Sequence, residues 1–165
     1  MNQLSNLLIT NAHLVTLDQG LRVIPNGALY IEAERIVEVG AATEIERRAE
    51  RTIDAGGRVV MPGLINAHTH VAMSLFRGLA DDLPLDSWLN EHIFPAEGAH
   101  LQPESVRWGT LLACAEMLLA GTTTCCDGYF FEDRVAEAVH TSGMRAVLAQ
   151  GVVDFPAPGA PDPKK

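Results

Sequence analysis

The sequence predicts an α/β fold, a small β module followed by the opening βα units of a parallel sheet. Three observations carry this. Residues 1–61 hold short β-type runs, "LLITNAHLVTLD", "GALYIEA" and "RIVEVG", punctuated by Pro25-Asn26-Gly27 and Gly56-Gly57, turn chemistry that suits hairpins. From Val59 onward the order becomes strand, loop, helix, strand, helix, strand, the rhythm of βα units. The composition, 47% hydrophobic and 20% charged over 165 residues, is that of a globular chain able to bury a core.

Taken in order, the three or four N-terminal strands bury little by themselves, so this module is expected to need further strands to close its core. The first strand of the second part is "RVVMPGLINAHTH". After a long loop, "LQPESVRWGTLLACAEMLLAG" reads as a helix. Pro103 suits its first turn, Glu104 complements its positive end and Gly121 stops it. Apolar residues nearly surround that helix, which predicts packing on two sides. "TTTCCDGYF" is the second strand, "EDRVAEAVHTSG" a helix closed by Gly143, and "MRAVLAQGVV" the third strand; the tail "DFPAPGAPDPKK" reads as an unanchored end. The domains are therefore 1–61 and 62–165. Three parallel strands with two or three helices cannot close a barrel, and an open sheet this small leaves apolar faces and edges bare. The fold is expected to be incomplete as it stands.

Charge and composition narrow the function. Twelve basic against 21 acidic residues give a net charge of −9, which disfavours nucleic acid and anionic membrane surfaces as partners and favours a small neutral or cationic one. The opening residues have neither a cationic leader nor a spanning apolar run, so a cytoplasmic location is expected. Cys114, Cys125 and Cys126 lack C-x-x-C spacing and are read as buried thiols.

The chemistry centres on "VVMPGLINAHTHVAMSLFRG". Side chains alternate along a strand, so Asn66, His68 and His70 share a face while Ala67 and Thr69 take the other. Two imidazoles so placed are able to converge on one ion, and they sit at the C-terminal end of a parallel strand, where enzymes of this architecture keep their active sites. Two core histidines satisfied by backbone carbonyls are the alternative. His13, His92, His100 and His140 have no partner at ligand spacing. Asp81-Asp82 reads as a solvated loop, and Asp127, near the end of the second strand, is given no role.

"MPGLINAHTH" resembles the strand-one signature of the amidohydrolase superfamily, in which H-x-H closes the first barrel strand after a "PGLIN-H" lead and an N-terminal β module. The next stretch, "AMSLFRGLADDLPLDSWLNEHIFPAEG", is similar to the corresponding segment of S-adenosylhomocysteine and 5′-methylthioadenosine deaminases and of the neighbouring triazine (TRZ/ATZ-type) hydrolases. The likeness runs from residue 7 to about 155. It implies the first three strands of a metal-dependent (β/α)8 TIM barrel, preceded by part of a small β-sandwich.

The resemblance implies that His68 and His70 are metal ligands for one divalent ion. Zinc is the expected ion, with Fe2+ and Ni2+ left open because imidazole suits all three. It also implies that Trp88 packs against a purine or thioether and that Glu97 accepts hydrogen bonds from ribose hydroxyls. A core-anchoring Trp and a solvated Glu are the alternatives. The implied reaction is hydrolytic deamination of an adenine nucleoside, 5′-methylthioadenosine or S-adenosylhomocysteine, with ammonia released after attack by metal-activated hydroxide. A triazine-type or a guanine- or cytosine-type amidohydrolase is the runner-up. The family's remaining ligands and its proton-shuttling carboxyl are expected beyond residue 165, so no catalytic residue is assigned within the chain. The expected partners are the nucleoside, the remainder of the barrel in the same or a separate chain, and a second copy of the complete protein. A half-enzyme and a non-catalytic interaction fragment are the readings of other kinds.

Overall fold

The structure, a computed structural model, describes residues 6–160 and divides into two compact units, Met1–Pro62 and Gly63–Lys165. Its class is α/β. Among the described residues no helix is long and apolar enough to cross a membrane.

The first unit is one sheet in the order β3-β2-β1-β4, with β5 also paired to β1. Its strands are β1 (Leu7–Val15), β2 (Val23–Glu32), β3 (Arg35–Ala41), β4 (Arg51–Asp54) and β5 (Val59–Val60). β1, β2 and β3 run antiparallel, whereas β4 and β5 follow β1 in parallel. Alternation along β1 buries Ala12 and Leu14 against Leu29 and Ala55. Arg47 lies over the Tyr30 ring at 5.3 Å and pairs with Glu38 at 2.7 Å.

Two sequence expectations change here. Pro25-Asn26-Gly27 is not a hairpin turn but an irregularity inside β2, where the pairing with β1 shifts register and Asn26 takes a positive φ of 48°. This is the signature of a bulge, which tolerates a proline that an ordinary ladder does not. The run "RVVMPGLINAHTH" is not one strand either. Val59–Val60 joins the first sheet, Met61-Pro62-Gly63 interrupts pairing, and β6 (Leu64–Thr69) opens the second sheet.

The second unit carries the parallel sheet β6-β7-β8, with β7 at Thr122–Tyr129 and β8 at Arg145–Gln150. The β6-to-β7 crossover begins with a 3-10 turn, Val71–Phe76. It continues through α1 (Leu85–Ser87), a π-helical turn (Trp88–Ile93) and α2 (Phe94–His100), and ends in α3 (Pro103–Leu119). α4 (Glu132–Ser142) connects β7 to β8. Pro103 opens α3, and a capping box adds to it: the Gln102 N–H donates to Ser105 Oγ at 2.8 Å. α4 ends at Gly143, whose φ of 76° is a left-handed stop that a residue with a side chain adopts only at a cost.

The core of this unit joins Val71, Leu101, Val106, Cys114, Cys125, Tyr129, Val135 and Val139. α3 packs directly on the 3-10 turn. A Cβ at Gly109 would lie 2.8 Å from the Ala72 carbonyl oxygen, and the Ser74 hydroxyl donates to the Gly109 carbonyl at 2.8 Å. Only one face of α3 is covered within the described chain: Val106, Gly109, Ala113 and Cys114 are buried, while Trp108, Leu112 and Leu119 are exposed, Leu119 at 90%. Of the three thiols, Cys126 is exposed rather than buried, and all three are free.

Candidate active site

β6 delivers Thr69 and ends there, so His70 is the first residue beyond the strand, at the entrance to the 3-10 turn. The His68 and His70 rings lie 5.0 Å apart, centroid to centroid, in an edge-on arrangement. Neither residue is buried, so the pair is not packed into a core. The Nδ1 atom of His70 is 2.6 Å from the Gly128 carbonyl oxygen. A carbonyl only accepts, so Nδ1 carries the proton and Nε2 is the ring nitrogen left for another partner, as in imidazoles that bind a metal through Nε2.

Thr69 turns the other way, as strand alternation demands, and its hydroxyl donates to Asp127 Oδ1 at 2.6 Å. Asp127 is paired in register with Thr69 across the β6–β7 ladder. The residues of β7 at spacing two, Cys125, Asp127 and Tyr129, are all buried.

The two expected substrate residues come from the helical crossover. Trp88 begins the π-helical turn, a geometry frequent at functional sites, and its indole N–H donates to the Leu79 carbonyl at 3.1 Å. Glu97 in α2 is 4% exposed, so it is not the solvated helix-end carboxylate that sequence left open. The Tyr129 hydroxyl donates to Glu97 Oε1 at 2.5 Å. Burial pushes the Glu97 carboxyl up, while the Tyr129 hydrogen bond and nearby His70 draw it back down. The Tyr129 hydroxyl is raised, first by its own burial and then by Glu97.

His70, Trp88, Phe94, Glu97 and Tyr129 line one cavity of about 370 Å³. An imidazole, an indole and a carboxyl group with one oxygen engaged thus line a space of small-molecule size. Asp81 and Asp82 are exposed. Among the described residues no group of three or more His, Cys, Asp or Glu side chains comes together to hold a metal ion. Imidazole nitrogen is a donor that zinc accepts, and His68 and His70, whose rings lie together, would make two of the three protein ligands of a catalytic site.

Tyr129 was absent from the residues singled out in the sequence. Period-two alternation from Asp127 would have placed it on the buried face. Its bond to Glu97, 32 residues away, depends on how the crossover folds back over β7.

Residues 59–165 match the amidohydrolase family. The chain is 56% identical over 156 residues to a 5-methylthioadenosine/S-adenosylhomocysteine deaminase of Syntrophobacter fumaroxidans, a match covering 93% of this chain and 35% of that protein. Among solved structures, it resembles an adenosine deaminase from Xanthomonas campestris with bound zinc at 40% identity and a TM-score of 0.79, covering 92% of this chain and 35% of the other. A triazine hydrolase from Arthobacter aurescens superposes with a TM-score of 0.82 at 26% identity, over 88% of this chain and 35% of that one. The chain spans about a third of the length of the curated relatives it matches.

Proposed function

The chain belongs to the amidohydrolase family, and on that footing we propose that it contributes the first part of a hydrolytic deaminase acting on adenine nucleosides such as 5′-methylthioadenosine and S-adenosylhomocysteine. The observation that carries this reading is the single cavity shared by His70, Trp88 and Glu97. His68 and His70 would hold a divalent ion, zinc by preference; Gly128 occupies His70 Nδ1, which leaves Nε2 as the ring nitrogen open to a partner. The chemistry such an ion supplies is activation of water as a nucleophile near neutral pH.

The chain's own residues bind and orient. Trp88 offers its indole face to the purine or the thioether, its N–H being already engaged by Leu79. Glu97 gives one oxygen to Tyr129 and keeps the other for the ribose hydroxyls. The walls that exclude water, Phe94 and Tyr129, are aromatic.

β6, β7 and β8 are the first three strands of a (β/α)8 barrel, and the first unit is part of a β-sandwich. Support comes from the parallel order β6-β7-β8 and from apolar side chains left open on the outer strands, Ile65 at 70% and Val147 at 65% exposure, in a kind of sheet normally covered on both faces. Without the rest of the barrel the ligand set is short of a catalytic zinc site, so residues 1–165 alone bind metal weakly and release no ammonia.

The test is ammonia release from 5′-methylthioadenosine by the full-length protein, with Glu97→Gln beside it. The reading expects turnover in the parent and a raised KM in the variant. Unchanged kinetics in Glu97→Gln would remove the ribose assignment and favour the triazine-type or guanine- or cytosine-type alternative. Elemental analysis of the same protein identifies the metal.

A further inference from the structure

Asp127 is 2% exposed, and its carboxylate reaches both sides of His70. Oδ1 accepts the Thr69 hydroxyl at 2.6 Å and the Val71 backbone N–H at 2.8 Å. The following residue, Gly128, takes the His70 ring proton through its carbonyl at 2.6 Å. Three hydrogen bonds from two consecutive residues of β7 therefore hold the span Thr69-His70-Val71. That span would otherwise be a strand end entering a 3-10 turn, with no side-chain cap of its own.

The other carboxylate oxygen, Asp127 Oδ2, is buried without a partner, and so are both carboxyl oxygens of Glu132. Two neighbouring buried carboxyls that each lack a donor satisfy one another when one carries a proton, and an unpaired buried charge is far costlier than such a shared hydrogen bond.

We propose that Asp127 is a positioning residue for the metal ligand His70, bracing it from both flanks, and that Glu132 donates a carboxylic-acid proton to Asp127 Oδ2. Burial, and after it the charge and contact of Asp127, push Glu132 up to about 7, consistent with a proton retained towards neutrality. The inference rests on the reading that His68 and His70 hold a divalent ion, and it goes beyond that reading in naming what sets the geometry of one ligand. Partners behind a ligand of this kind are worth roughly 10–100-fold in metal affinity.

The experiment measures zinc affinity of the full-length protein by competition with a chromophoric chelator, for the parent, Asp127→Ala, Asp127→Asn, Thr69→Val and His70→Ala. Asp127→Ala is expected to bind zinc roughly 10–100-fold more weakly. Asp127→Asn should restore most of the affinity, because its carbonyl still accepts from Thr69 and Val71 and its amide still faces Glu132. A merely structural role would show loss of folding stability with zinc affinity intact. Parent-like affinity in Asp127→Ala, or an Asp127→Asn variant no better than Asp127→Ala, overturns the proposal. Should Asp127→Ala fail to fold, Thr69→Val decides: weakened zinc binding supports the brace, and unchanged binding overturns it. His70→Ala separates the two levels, since parent-like zinc affinity there would remove the metal reading itself and the brace with it.

Discussion

Glu132 is buried beside Asp127, and the two make stability depend on pH in a direction that follows from linkage. Its carboxyl is pushed up to about 7 in the folded chain from an ordinary 4.5. Below about pH 4.5 it is protonated in both folded and unfolded chains, and its environment costs nothing. Between 4.5 and 7 the folded chain holds a proton that the unfolded one has lost, so stability falls as pH rises through that window. Glu132→Gln should flatten this dependence, with a gain on the order of 1–2 kcal/mol relative to the parent near pH 7.5 and little change at pH 4.5. Denaturant midpoints at the two pH values check it, and parallel pH profiles in the two proteins would contradict it. Tyr129→Phe is the matching change in the cavity. It leaves Glu97 buried without its donor, at about 1–3 kcal/mol, and should raise KM for a ribose-bearing substrate more than for one lacking the sugar hydroxyls. That the His68 and His70 rings come together was legible in sequence, because the spacing of two residues along a strand is a local property. Tyr129 and Asp127 were not, because their partners Glu97, Thr69 and Val71 lie 32 to 58 residues away and meet them only in the folded sheet.

At the scale of elements, the helices announced themselves through their ends. Pro103 and Gly143 mark boundaries that the folded chain respects, as cap chemistry is written in adjacent residues. The strands were less readable. "RVVMPGLINAHTH" is continuous in apolar character, yet Val59–Val60 pairs with β1 and Leu64–Thr69 with β7; hydropathy does not say which neighbour a strand chooses. Pro25-Asn26-Gly27 carries turn residues but serves as a bulge, since bulges draw on the same positive-φ chemistry as turns. The apolar girdle of α3 foretold burial on two sides, whereas the described chain covers one. α3 packs closely on the 3-10 turn that leaves His70. Gly109→Ala forces a methyl against the Ala72 carbonyl at 2.8 Å, which should destabilise the protein by about 1–3 kcal/mol. A chemical denaturation series tests this, and a midpoint equal to the parent's would show that α3 has room to shift.

At the scale of the molecule, two compact units carry one recognisable site between the end of β6 and the crossover above β7, and that site lies within the second unit. Fold class was open to sequence because the change from β-type runs to βα rhythm is a property of long windows. The proposed barrel was open only through resemblance, since a sheet of three parallel strands does not itself say what pairs with its edges. On this account the outer strands, with Ile65 and Val147 exposed, are where the remainder of the barrel pairs and where the further ligands enter. The most direct measurement is an anomalous difference map at the zinc edge from crystals of the full-length protein grown with zinc. One ion is expected at about 2.0–2.1 Å from His70 Nε2 and from a ring nitrogen of His68, with the Nδ1 hydrogen bond to Gly128 intact. An ion bound elsewhere, with these two rings turned apart, would contradict it.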